Sequence, residues 1–353
     1  MGFTRRDVAK LFSPGYTGKA FIIAELSANH NGSLARAKDT IRAAADSGAD
    51  AVKLQTYTAE TMTIDCGRPP FVINQGTLWD GQTLFALYKK AYTPWEWHDQ
   101  LFSTAQKCGV LCFSTPFDRT AVDFLERFDP PVTKIASFEA NDTPLIAYAA
   151  SKGRPMLIST GLSDEAEVRD AAAACRRAGN RRLALLKCVS AYPALPEESN
   201  LLTIPDMAKR FRVTPGLSDH TLGTEAACAA VALGGKIIEK HFILSRKHKG
   251  PDAPFSTEPA EFRRLVDSIR VIEKALGKVT YTPGPRSARN MDFKRSLFAV
   301  ADIIKGEIFT DENVRSIRPA YGLPPKNLPK VIGRRAAGKI SRGTPLTWAH
   351  LKK

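Results

Sequence analysis

Short apolar runs alternate with helical patterns along most of the chain. The runs are FIIAE (21–25), DAVKLQ (50–55), VLCFS (110–114), VTKIA (132–136), PMLIS (155–159), LALLK (183–187), VTPGLS (213–218) and KIIEK (236–240). Each has strand length and none alternates strictly between apolar and polar. Such near-continuous runs are what a parallel sheet buried on both faces requires. Between them lie stretches with helical spacing, such as LARAKDTIRAAADSG (34–48), WEWHDQLFSTAQKCG (95–109), DEAEVRDAAAACRRAG (164–179) and PAEFRRLVDSIRVIEKALG (259–277). Several end in Gly, the residue that best tolerates a left-handed C-terminal cap, and Thr93-Pro94 and Ser163-Asp164 read as helix starts. Eight such strand–helix units predict an α/β chain of the (β/α)8 TIM-barrel class. A doubly wound open sheet is the alternative. It usually has fewer strands, and no G-x-G-x-x-G follows the first one.

Two regions depart from the alternation. Residues 57–93 form a long aromatic insertion bearing Pro and Gly between a strand and its helix, a place where barrels line or cover their sites. Residues 278–295 are rich in Pro, Arg and Ser and read as a linker after a catalytic domain at 1–277. Residues 296–353 read as a small, turn-rich, mostly β domain. Within it VADIIKGEIFTDENVRSIRP (300–319) resembles AAGKISRGTPLTWAHL (336–351).

Composition narrows the function classes. With 353 residues, 43% hydrophobic and 25% charged, the chain is an ordinary globular one, neither disordered nor collagen-like. No run approaches the roughly 18 apolar residues of a membrane span. The opening MGFTRRDVAKLFSPG has no apolar stretch behind its basic residues, which predicts no secretory leader and a cytoplasmic location. The six cysteines form no C-x-x-C pair and read as buried hydrophobes of a reducing compartment. The net charge of +15 favours anionic partners, although a soluble basic protein explains it as well.

Candidate chemistry collects at the C-terminal strand ends, where barrels of this kind carry their active sites. In chain order these ends offer Glu25, Ser27 and Asn29; Lys53, Gln55 and Tyr57; Ser114 and Thr115; Lys134, Ser137 and Glu139; Ser159 and Thr160; Lys187, Ser190 and Tyr192; Ser218, Asp219 and His220; Glu239, Lys240 and His241. Turn and cap roles account for one or two of these, not for all eight ends, because buried ionisable groups are costly unless paired or used. Lysines with short hydroxyls suit a phosphate or carboxylate. A lone buried His is more often a satisfied core residue than a ligand. A pair on adjacent strands, His220 and His241, shifts that balance toward one divalent metal with open positions. Glu25 and Glu139 are candidate acids or bases. His30, His98, His248 and His350 have no such partner, and Trp79, Trp95 and Trp97 read as packing or a pocket rim.

The phrases AELSANHNGS (24–33), AVKLQTY (51–57), STPF (114–117), KIASFE (134–139), LLKCVSAYP (185–193), GLSDHTLG (216–223), EKHF (239–242), GPD (250–252) and SIRPAYGLPPK (316–326) together resemble the sialic acid synthase family, in particular its pseudaminic branch, from about residue 20 onward. The resemblance implies a TIM barrel followed by an antifreeze-like (SAF) domain. It also implies a metal-dependent condensation of phosphoenolpyruvate with an amino-sugar aldose, releasing phosphate and giving a nine-carbon 2-keto-3-deoxy acid. In the pseudaminic branch the aldose is a 2,4-diacetamido-2,4,6-trideoxyhexose of altro configuration, and the metal is Mn2+ or Mg2+. Carried over by position, Lys53, Thr115, Lys134, Ser137, Ser159, Ser190 and Ser218 match phosphoenolpyruvate-binding positions. His220 and His241 match the metal ligands, and Glu139, with Glu25 and Lys53, the catalytic set. Gln55, Tyr192 and Asp252 match sugar contacts, and Arg318 an arginine that the small domain of one subunit presents to the other, which implies a domain-swapped homodimer.

Ser190 stands where sialic acid synthases usually have Asn, and Phe138 where they have Gly. Both departures suit the pseudaminic branch better than a plain N-acetylmannosamine substrate. A legionaminate or N-acetylneuraminate synthase is the near alternative. A basic nucleic-acid-binding protein is the distant one, but Lys and Arg are scattered and no nucleic-acid-binding motif is present, so neither nucleic acid nor membrane is expected as a partner.

Overall fold

In a computed structural model, residues 2–13, 15–76 and 79–352 are described. They divide into two compact units, Met1–Gly277 and Lys278–Lys353.

The first unit holds eight strands: β1 (Phe21–Glu25), β2 (Ala51–Thr56), β3 (Leu111–Pro116), β4 (Thr133–Ile135), β5 (Met156–Ser159), β6 (Leu183–Cys188), β7 (Thr214–Asp219) and β8 (Ile237–His241). All ladders are parallel, in the order β3-β2-β1-β8-β7-β6-β5-β4. The β1–β8 ladder joins the first strand to the last, and β3 and β4 lie side by side at the remaining seam, so the sheet is a nearly closed TIM-type barrel. Each strand is followed by a helix, and the apolar runs become strands within a residue or two of their expected ends. Asp164 caps the helix Glu165–Arg177 through a reciprocal pair with Glu167. Gly48, Gly109 and Gly179 follow their helices with positive φ, as the capping pattern predicts.

Strands buried on both faces still alternate in direction. One set of positions (Ile22, Ala24, Val52, Leu54, Ile158, Leu185, Leu217, Ile238) packs outward among the helices. The other (Phe21, Ile23, Ala51, Phe113, Val132, Leu157, Ala184, Leu186, Ile237) fills the barrel interior. Gly216 belongs to this crowded interior: a Cβ there meets the carbonyl of Ile237 and the side chain of Leu186. The interior cluster also takes in Val8 and Leu11 from the N-terminal helix Arg5–Leu11. That helix plugs the barrel floor, where the Leu11 carbonyl accepts from Thr214 Oγ1 at 2.6 Å. The sequence pattern does not predict it, because seven residues are too few to show helical periodicity.

The insertion after β2 carries the short helices Ala59–Met62 and Leu84–Ala91, with a bridge between Val72 and Thr83. All six cysteines are free. Cys112, Cys175 and Cys188 are buried as expected, whereas Cys66, Cys108 and Cys228 are partly exposed.

In the second unit β9 (Ser296–Ala299) pairs antiparallel with β10 (Val314–Ile317). Its core is Leu297, Ala299, Ile303, Phe309, Val314, Val331, Ala336, Ile340, Leu346 and Leu351. The two similar stretches meet here. Ile303 and Ile340 exchange backbone hydrogen bonds of 2.8 and 2.9 Å, Gly306 and Gly343 both turn with φ near +85°, and Phe309 and Leu346 are both fully buried. Residues 278–295 belong to this unit and are exposed throughout. The unit holds sixteen Lys and Arg against five Asp and Glu, so it carries +11 of the chain's +15.

Candidate active site

Above the two apolar layers, the inward positions of the same strands turn polar. Glu25, Lys53, Thr115, Lys134, Ser159, Ser218 and Glu239 are all buried there. Lys53 Nζ lies 2.7 Å from Glu239 Oε1 and 3.1 Å from Glu25 Oε2. Lys134 donates to Ser159 Oγ at 2.7 Å and stands 3.8 Å from Glu239 Oε1. Ser218 donates to the same Glu239 oxygen at 3.1 Å. Glu25 Oε1 accepts from the Ser27 amide at 2.9 Å and from Gln55 Nε2 at 3.2 Å, and Ser27 Oγ pairs with Asp252 Oδ2. One network therefore joins residues from the ends of β1, β2, β4, β5, β7 and β8 and from the loop after β8.

Next to it, Ser137 and Ser190 share a hydrogen bond of 2.6 Å. Gly161 makes room for this contact, since a Cβ there meets Ser190 Oγ. The two candidate metal ligands also come together, with ring centroids 5.3 Å apart. Tyr192 packs on His220 at 4.5 Å, and Phe255 on His241 at 5.0 Å. His220 Nδ1 donates to the Val189 carbonyl at 2.7 Å, which fixes the tautomer and frees Nε2. His241 Nδ1 is buried without a hydrogen-bond partner, as are Glu139 Oε2, Glu239 Oε2 and Thr115 Oγ1. Two adjacent imidazoles, one with an orphaned buried nitrogen and the other with Nε2 free, fit a divalent cation. No cluster of three or more His, Cys, Asp or Glu with metal-binding geometry is found among the described residues, so this chain offers an incomplete shell.

Burial and neighbouring charge set the protonation states. Burial pushes Glu25 up to about 7 despite Lys53, and Glu139 up to about 7 despite Lys134. Burial alone would also raise Glu239, but the Lys134 and Lys53 ammoniums outweigh it and hold it low. Lys134 falls to about 8 through burial, whereas for Lys53 the pull of Glu239 and Glu25 exceeds burial and raises it. Burial, with the His220 and Lys53 charges, keeps His241 neutral. Two carboxylates whose environments push them apart are a mark of assigned roles.

The remaining sequence candidates divide clearly. Thr115, Gln55, Tyr192 and Asp252 lie with the cluster or the imidazole pair; Arg318 is exposed in the second unit. Every strand end places a polar residue in the barrel mouth, but not every polar residue at those ends lies there, because successive residues split by face. Lys240 and Asp219 pair at 2.6 Å on the outer side, and Thr56 bonds Ser114 and His98 there. His98 and His30 are buried and hydrogen-bonded, with burial lowering both to about 4. The sequence places Glu239 among the strand-end candidates but assigns it no role, although its spacing of two from His241 on a strand puts both on one face.

The chain is similar to known proteins along nearly its whole length. The chain is 46% identical over 328 residues to a pseudaminic acid synthase of Campylobacter jejuni, covering 93% of this chain and 95% of that one. It is 35% identical over 357 residues to an N,N'-diacetyllegionaminic acid synthase of Legionella pneumophila, covering 99% of both. Among solved structures it matches a spore coat polysaccharide biosynthesis protein of Bacillus subtilis at 35% identity and a TM-score of 0.65, over 96% of this chain and 97% of that one. A SAF domain matches residues 294–352. With a family match over residues 40–281 and relatives this similar along nearly the whole length, the chain belongs to the NeuB family.

Proposed function

We propose that the protein is a pseudaminic acid synthase, condensing phosphoenolpyruvate with 2,4-diacetamido-2,4,6-trideoxy-altropyranose in its open-chain form, with Mn2+ or Mg2+ as cofactor. The buried Lys53–Lys134–Ser159–Ser218 cluster beside the His220–His241 pair carries this reading. The two ammoniums and the hydroxyls of Thr115, Ser159 and Ser218 bind the phosphate, and the Ser137–Ser190 pair orients the carboxylate. Gln55, Tyr192 and Asp252 hold the sugar over this layer. Carbon 3 of the enol attacks the sugar aldehyde, and water adds at carbon 2. Glu139, held near neutrality, takes the proton of that water, and collapse to the ketone expels phosphate with C–O cleavage. A divalent ion on His220 and His241 supplies Lewis acidity at the aldehyde oxygen. Holding both substrates in register contributes up to about 7–11 kcal/mol.

The functional unit in this reading is a domain-swapped homodimer in the cytoplasm, with Arg318 reaching the partner's sugar. In its support, Phe138, Leu162, Leu195 and Leu222, which follow β4 to β7 at the barrel mouth, are 52–62% exposed, an apolar rim suited to being covered. No helix among the described residues is long and apolar enough to cross a membrane. The legionaminate alternative rests on the 35% relative and shares the chemistry. The test is phosphate release from phosphoenolpyruvate with a panel of amino-hexoses, with and without Mn2+. The altro sugar is expected to be used best and chelation to abolish turnover. Preference for another hexose corrects the substrate, and undiminished turnover under chelation removes the metal. Oxygen-18 from water is expected in the keto acid; label in phosphate overturns C–O cleavage.

A further inference from the structure

Glu239 is placed strangely for a pocket that receives an anion. Its carboxylate sits in the middle of the groups assigned above to phosphate. Oε1 takes the Lys53 ammonium at 2.7 Å and the Ser218 hydroxyl at 3.1 Å, with Lys134 at 3.8 Å, while Oε2 is buried with no partner. Glu25 takes a second share of Lys53 at 3.1 Å. Two ammoniums therefore face two carboxylates in one layer. A pocket shaped only to grip a phosphate dianion would leave its lysines to hydroxyls and backbone carbonyls, as Lys134 has with Ser159 and the Ile135 carbonyl. A fixed carboxylate among the same donors opposes every anion that enters.

We propose, on the reading that this cluster binds phosphate, that Glu239 is a positioning residue for phosphate release: it competes with the phosphate for Lys53, Lys134 and Ser218 and keeps the affinity for the inorganic product low. Substrate and product present the same phosphate group to the same donors. Phosphoenolpyruvate has its carboxylate and its reacting carbon as further handles, whereas inorganic phosphate has only the phosphate site, where Glu239 contests both ammoniums and the Ser218 hydroxyl and leaves it the hydroxyls of Thr115 and Ser159. While the C–O bond is intact those extra contacts outweigh the competition. Once it breaks, with the electron pair leaving on the phosphate oxygen, Glu239 regains the lysines and the dianion departs. Glu239 is held rigidly for this, on the central β8 strand, hydrogen-bonded to β1 on one side and β7 on the other.

The experiment is calorimetric titration of inorganic phosphate, with and without Mn2+, into wild type, Glu239→Gln, Glu239→Asp and Lys134→Met, together with steady-state kinetics. Glu239→Gln keeps the size and removes the charge. It is expected to bind phosphate about tenfold or more tightly, with a lower KM for phosphoenolpyruvate, a lower kcat and a pre-steady-state burst of keto acid. Glu239→Asp, one methylene farther back, is expected to fall between wild type and Gln, and decides the matter alone if the Gln variant does not fold. Unchanged or weaker phosphate binding in the folded variants overturns the proposal, since a carboxylate that merely props up the lysines would weaken binding when removed. Lys134→Met separates the two layers of argument: if it binds phosphate as wild type does, the assignment of the cluster to phosphate fails; if it loses phosphate while Glu239→Gln gains none, only the role of Glu239 fails.

Discussion

The tops of β7 and β8 carry two ionic networks on opposite faces, built from alternate residues. On the outer face Lys240 Nζ holds Asp219 Oδ2 at 2.6 Å and the Thr221 carbonyl at 2.7 Å. Asp219 Oδ1 accepts from the Thr221 amide at 2.9 Å and its hydroxyl at 2.7 Å. Every Asp219 oxygen is satisfied. On the inner face Ser218, Glu239 and His241 belong to a network with orphans: Glu239 Oε2 and His241 Nδ1, with Thr115 Oγ1 and Glu139 Oε2 nearby in the barrel mouth. Buried polar atoms without partners are rare in folded proteins and call for a reason. The saturated network fixes a structure; in the proposed reading the unsaturated one takes its missing partners from substrate and ion. Burial and charge alone do not separate the two networks, but hydrogen-bond completeness does.

The contrast can be broken by substitution. The largest effect is expected from Glu139→Gln, which should lower kcat by about 10²–10⁴-fold. In wild type the rate should climb with pH through an inflection near 7, because the base works deprotonated and its carboxyl is raised to about 7. A pH–rate profile of the Gln variant should lack that inflection, whereas Glu25→Gln should keep it. Next, Lys134→Met removes a charged donor from the inner network and should cut kcat/KM for phosphoenolpyruvate about 10²–10³-fold. Its far-ultraviolet circular dichroism should stay native, because Lys53 still pairs with Glu239.

The outer network should answer differently. Lys240→Met strands the buried Asp219 and should cost about 3–5 kcal/mol in urea unfolding. The kcat of the molecules still folded should stay within about threefold of wild type. A Lys240 variant that keeps its stability and loses its turnover would erase the distinction between the faces. The smallest change belongs to the second unit, where charge lies on the surface. Arg342→Gln, at an exposed position, should move stability by less than about 0.5 kcal/mol and leave kinetics unchanged.

Much of this architecture was legible in the residues. Strand length, apolar continuity and Gly-terminated helices need only local physics, so β1–β8 and the helices after them were readable. The motifs marked His220, His241, Lys53 and Lys134 before any fold was known. The face each residue takes was not readable at the strand ends, because a run buried on both sides shows no apolar–polar alternation. Hence Lys240 and Glu239, neighbours in the chain, looked alike until one was found outside the barrel and the other inside.

The eight strands with the helices after them, the family and the residue types at the barrel mouth are readable from the residues alone, since these follow from short-range periodicity and from motif identity. Only the tertiary structure decided which ionisable groups share a network, which buried atoms lack partners, and that the N-terminal helix closes the barrel floor. It also decided that two similar stretches pair through Ile303 and Ile340. The physical reason is that desolvation, ion pairing and hydrogen-bond completeness depend on distances between groups far apart in the chain. The 186 residues separating Lys53 from Glu239 are spanned only when the ring of strands closes between β1 and β8.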